Sequence, residues 1–286
     1  MKHFFVFLIF FISSQLFAMD WPSAAGVITR NFGWNDRGMP HLGISFASDG
    51  VIQAAAAGEL LFSRREGDNA SRLPSALGVW TALDHGDGII SIYSRFDSSS
   101  QAAVPNMVER GFILGQAGIS GWSSQRGFYF QLFDRKERRW INPALIATPL
   151  VDTRPPVIVS VSLRDEQGNF FNPLQTQTIS QGRYTIIVNA NDTKHSPNEI
   201  PLAPNRIICS VNGREVGHLS FENYSARGGS LMVQRNGLVP VRQVFAHYPA
   251  FELADVWLNR GQTTLEIIAR DLAGNTRNAV FRLTVE

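Results

Sequence analysis

The chain has 286 residues, a formal net charge of +2, 17% charged residues and a single cysteine. That length leads us to expect about two domains, each large enough to bury its own core. The near-balanced charge, with no basic run and no basic-aromatic interleave, argues against a nucleic-acid partner, and one cysteine excludes an intrachain disulfide.

In chain order, Met1-Lys2-His3 precedes an uncharged apolar stretch through Ile12, then Ser13-Ser14-Gln15-Leu16-Phe17-Ala18. A short basic start, an apolar stretch and a small residue at the cut read as a signal peptide over residues 1–18. The stretch is too short for a comfortable membrane span, so the expected product is secreted or periplasmic, with no membrane span after signal removal. No cysteine follows to accept a lipid.

Glycine-punctuated segments come next. Asn31-Phe32-Gly33 is followed by Pro40-His41-Leu42-Gly43-Ile44-Ser45, then by Ile52-Gln53-Ala54 through Gly58-Glu59-Leu60. Leu83-Asp84-His85-Gly86-Asp87-Gly88-Ile89 runs on to Tyr93-Ser94-Arg95-Phe96, and Val108-Glu109-Arg110-Gly111 leads to Gly118-Ile119-Ser120-Gly121. From Gly127 to Phe133 the pattern predicts a strand with Phe128, Phe130 and Leu132 on one face and Tyr129, Gln131 and Phe133 on the other.

These motifs, over roughly residues 21 to 147, resemble the LytM domain of the M23 family of zinc peptidases, which cut peptidoglycan cross-bridges. The resemblance implies a β-sheet domain in which His41 is the first metal ligand. It places Ser45 where the family has a ligand Asp, Gly127 and Tyr129 where it has two histidines, and Arg95 where it has the general-base His. A catalytic zinc needs about three protein ligands and an open position for water. Serine is not ionised near neutral pH, glycine has no side chain, and a phenol of pKa about 10 replaces imidazole poorly. A guanidinium neither accepts a proton nor sits easily beside a divalent cation. The expectation is therefore a pseudopeptidase with no catalytic residue, no metal and no cofactor; zinc would be expected only of an intact site. If the family register holds, Gly127, Tyr129 and Gln131 face the vacated site, and His41, Arg95, Trp122 and Tyr129 line a binding groove.

Duller readings stand beside these. His41 reads as a retained groove or turn residue, Arg95 as a solvated or a ligand-contacting residue, and His85 as part of a tight strand turn. A serine triad around Asp84-His85 lacks the strained Gly-x-Ser-x-Gly elbow. His195, His218 and His247 are scattered, and Cys209 reads as a small buried hydrophobe.

Near residue 150 the composition shifts. Asn142-Pro143 closes the first domain, residues 19–149, and Asp152-Thr153-Arg154-Pro155-Pro156 opens the second, residues 150–286, in the manner of bacterial Ig-like domains. Strands are predicted at Val157–Leu163, Gly182–Ala190, Arg206–Val211, Thr263–Ala269 and Ala279–Val285, and Arg270-Asp271-Leu272-Ala273-Gly274-Asn275 resembles the closing turn of such sandwiches. The fold class expected is all-β: an M23-type domain followed by an Ig-like β-sandwich. The function implied is a non-catalytic LytM module that binds or regulates peptidoglycan hydrolysis, with a cell-wall hydrolase or peptidoglycan as partner. Alternatives are a peptidoglycan- or peptide-binding module, and an active M23 metalloendopeptidase.

Overall fold

A computed structural model describes residues 19–24, 26–67, 73–149, 151–193 and 201–286. The signal-peptide reading of residues 1–18, residue 150 at the expected boundary, and His195 lie outside them. The protein is nearly all β, with 55% of residues in strands and 3% in helix.

The first half is organised around the strand Gly127–Asp134. It pairs with Ile44–Ala47 through Gly127–Phe130 and with Ile89–Ser94 through Tyr129–Asp134, both antiparallel. Trp80–Asp84 and Gly58–Arg64 extend the sheet outward. The expected alternation holds: Phe128, Phe130 and Leu132 are at most 1% exposed and join Ile44, Tyr93 and Phe96 in one core. The opposite face is also covered, since Tyr129 and Gln131 are buried. Between the strands, Gly86, Asp87 and Gly88 all have positive φ, which permits the tight return from Asp84 to Ile89.

In the second half two sheets face each other across a second core. One contains Val157–Asp165, Gly182–Thr193 and Phe251–Leu258; the other contains Arg206–Val211, Arg214–Arg227, Gly261–Arg270 and Thr276–Val285. Val161, Ile186, Ile207, Cys209, Leu253 and Ile267 fill the space between them. Cys209 is fully buried, and burial pushes its thiol up to about 12, so it packs as a hydrophobe.

The five predicted strands all form, four of them longer than their sequence pattern. The expectation did not include Arg214–Arg227 or Phe251–Leu258. Arg214–Arg227 couples the halves: Arg139–Ile141 pairs antiparallel with its residues Asn223–Ser225. Phe32, from the first half, is buried in the second core against Tyr224, with ring centroids 5.0 Å apart. Asn31 donates to the Ala203 carbonyl at 2.7 Å and accepts from the Ala203 amide at 2.8 Å. The Pro-marked junction therefore does not separate two sparsely touching bodies, because strand pairing and an aromatic plug cross between them.

Candidate functional site

The site forms where the strand Ile44–Ala47 meets the strand Gly127–Asp134. Ser45 lies opposite Tyr129, which on its other edge lies opposite Ser94, the residue before Arg95. Arg95 itself has φ of 69°, a left-handed conformation uncommon for a residue with a Cβ. Its amide donates to the Leu77 carbonyl and its carbonyl accepts from the Gly118 amide, so the backbone on both sides is held.

Four side chains converge. His41 Nε2 lies 3.0 Å from Ser45 Oγ, and Arg95 Nη1 donates to the same oxygen at 3.2 Å. Because Ser45 Oγ accepts from Arg95, its own proton is free to go to His41 Nε2, which then accepts and carries its hydrogen on Nδ1. The His41 and Tyr129 rings stand 4.6 Å apart, and Arg95 Cζ lies 5.1 Å from the Tyr129 ring centroid in a cation–π contact.

Electrostatics follow from burial. Loss of water, then the charges of Arg95 and Arg30, lower the His41 pKa to about 3, so the imidazole is neutral at any physiological pH. Burial pushes the Tyr129 phenol well above its ordinary range despite the Arg95 charge, so it stays protonated. Burial also lowers the Arg95 pKa, with Arg30 acting in the same direction, but a guanidinium starts so high that it remains charged.

This donor set does not fit a catalytic zinc. The lone pair at His41 Nε2 faces the Ser45 hydroxyl, Tyr129 holds its proton, and a guanidinium is hydrogen-bonded to the oxygen at position 45. Gly127 supplies no ligand, and its surroundings leave no room for one: a Cβ there would stand 2.0 Å from the Phe46 carbonyl oxygen.

Of the four residues expected to line a groove, His41, Arg95 and Tyr129 are brought together, but they pack on one another and leave little open space. Trp122 is not with them. It is 80% exposed in a neighbouring cleft of about 450 Å³, lined also by Arg64, Arg65, Asp97 and Ser120. His85 has a structural place: Nδ1 donates to the Ala57 carbonyl at 2.7 Å, leaving Nε2 to accept from Ser91 Oγ at 2.6 Å. His218 and His247 each meet a glutamate, at 3.1 and 3.4 Å.

Two groups had not been singled out. Arg30 acts on both His41 and Arg95, and only the pairing of its strand with Ile44–Ala47 brings it there. Asp152, Asp192 and Asp271 place carboxylate oxygens within 4.8 Å of one another beside a cavity of about 260 Å³ between the halves. Asp152 and Asp271 stood in motifs quoted for the Ig-like resemblance, but nothing local marks Asp192 as their neighbour.

With this geometry in view, residues 39–143 match the model of peptidase family M23. A second family model, which carries no description, matches residues 155–286. No curated protein is recognisably similar to the chain. Solved structures with some likeness include a Pseudomonas aeruginosa protein described as a peptidase M23, at 23% identity over 46% of this chain and 51% of that one, TM-score 0.35. This chain thus spans about half of that protein's length. Another is the catalytic domain of the prophage-encoded M23 protein EnpA from Enterococcus faecalis, at 23% identity over 44% of this chain and 95% of that one, TM-score 0.35. The SpoIIQ–SpoIIIAH complex matches at 15% identity over 48% of this chain and 95% of that one, TM-score 0.37. These likenesses are too distant to add to what the family match establishes.

Proposed function

We propose that this protein is an exported, non-catalytic M23 protein whose former metal face binds a partner and so regulates or positions cell-wall hydrolysis, joined to a second, Ig-like domain. The observation that carries this reading is the Arg95 guanidinium hydrogen-bonded to Ser45 among a neutral His41 and a protonated Tyr129. A cation of the protein itself sits among the residues that correspond to the family's ligands, and the one neutral imidazole there is engaged with Ser45. What such a surface keeps is shape, a fixed positive charge and aromatic walls, which suit binding. A peptidoglycan-binding role is the second reading, and it too rests on Arg95.

The test is capture from a periplasmic extract alongside sedimentation with purified peptidoglycan, comparing the native protein with Arg95→Gln. Retention of a wall hydrolase, whose activity rises with added native protein and not with the variant, is the expected result. Release of wall fragments by the native protein alone, abolished by a chelator, would overturn the reading.

A further inference from the structure

The cavity of about 260 Å³ between the halves is separate from the His41–Arg95 group. Ile44 lines it, and because successive strand residues point to opposite faces, the cavity lies on the other side of that strand from Ser45. Trp21, Ile28 and Leu145 join Ile44 from the first half, and Leu202 and Leu272 close the space from the second. Leu145 and Leu272 are 46% and 42% exposed, so the cavity reaches solvent. Its walls are chiefly apolar.

The polar groups divide into those already engaged and a corner rich in acceptors. Trp21 Nε1 donates to the Thr148 carbonyl, and the Asn31 and Asn142 amides are spent on backbone groups. In the corner, Asp152, Asp192 and Asp271 hold carboxylate oxygens within 4.8 Å of one another. The two Asp271 oxygens accept from the Asn275 amide and Nδ2, at 2.8 and 2.7 Å, and each keeps a second lone pair. Asn205 also lines the cavity, and its Oδ1 is a shielded acceptor with no hydrogen-bond partner. Among the described residues no Lys, Arg or His lines this space.

From this pairing of an acceptor corner with apolar walls we propose that the cavity binds a small primary ammonium carrying an apolar body. Like charges this close repel, which favours a positive occupant, and an ammonium brings three donors to a corner of acceptors. An anion would meet the same carboxylates without a cation to hold it. A bare divalent ion would occupy the corner alone and leave the apolar walls uncovered, whereas an alkyl or aryl chain is buried against them. The volume falls just below the usual lower bound of about 300 Å³ for ligand sites, so the occupant is small.

The experiment is calorimetric titration of the full chain with phenethylamine, with phenethyl alcohol as its neutral counterpart, with methylamine as the head group alone, and with calcium chloride. Charge-assisted hydrogen bonds lead us to expect the amine to bind at least about tenfold more tightly than the alcohol. Burial of its ring should give a further gain of about tenfold over methylamine. Because the site spans both halves, saturating phenethylamine should also raise the melting temperature of the native protein. Asp152→Asn keeps the oxygen that accepts from the Arg154 amide and removes one charge, so the amine–alcohol preference should shrink severalfold. Equal behaviour of amine and alcohol, including failure of both to bind, would overturn the proposal. So would methylamine binding as tightly as phenethylamine, a preference untouched by Asp152→Asn, or calcium binding more tightly than the amine, which would make the corner an inorganic cation site. The ligand comparisons need only the native protein, so a variant that misfolds leaves the test intact.

Discussion

His41 is held neutral by burial and by two nearby arginines, and that has a measurable pH signature. In the unfolded chain the imidazole takes a proton below about 6.5, whereas in the folded protein it does so only near 3. The stability this confers is fully present above about pH 6.5 and is lost as pH falls toward 3, at up to about 1.4 kcal/mol per pH unit. Urea unfolding of His41→Gln should therefore show a flatter pH dependence than the native protein over that window; parallel curves would contradict the assignment. Position 127 makes a second case. Ser45→Asp and Tyr129→His change side chains that already point into the site, but Gly127→His must displace the Phe46 carbonyl. Gly127→His should cost about 1–3 kcal/mol by overpacking, read as a lowered melting temperature, and wild-type stability would show that the strand pair yields. Motif spacing drew attention to His41, Arg95 and Tyr129, yet not to how they pack on one another. That depends on which side chains turn toward one another, and Trp122 turned away.

At the scale of elements, strands legible in the sequence were those whose faces differ or whose β-branched runs end at turns, such as Gly127–Asp134 and Arg206–Val211. Arg214–Arg227 mixes charged residues, glycine and His218, because parts of it face solvent and part forms the joint between the halves. Its role is set by distant partners that no local pattern encodes. The Phe-Gly turn shows the same limit, since as a motif it belongs to the first domain while its Phe32 ring lies in the second core. Gly33→Ala tests this joint directly. Gly33 has φ of +85°, and an added Cβ would stand 2.6 Å from the Phe221 ring. Strain and clash together should lower stability by at least about 1 kcal/mol, with unfolding of both halves shifted in denaturant. A shift confined to the first half would argue that the joint is weak.

The whole molecule shares one sheet path from its first half to its second through the Arg139–Ile141 and Arg214–Arg227 strands. Val151 is 94% exposed beside the Asp152–Pro156 segment, so limited proteolysis should nick there. Because Phe32, Asn31 and the shared ladder still hold the halves together, the nicked fragments should elute as one species under native conditions and separate only in denaturant. Independent elution would mean the contacts across the joint are weaker than their number implies. Among the described residues no helix is long and apolar enough to cross a membrane.

The central claim is that the segment matching the M23 family model carries its own cation, Arg95, beside His41, Ser45 and Tyr129. Elemental analysis of the purified native protein, after dialysis against buffer with micromolar zinc, tests it most directly. Well under one zinc per chain is the predicted result, because one neutral imidazole engaged with Ser45 and set beside Arg95 cannot hold the metal. One zinc per chain, lost on His41→Ala, would contradict it.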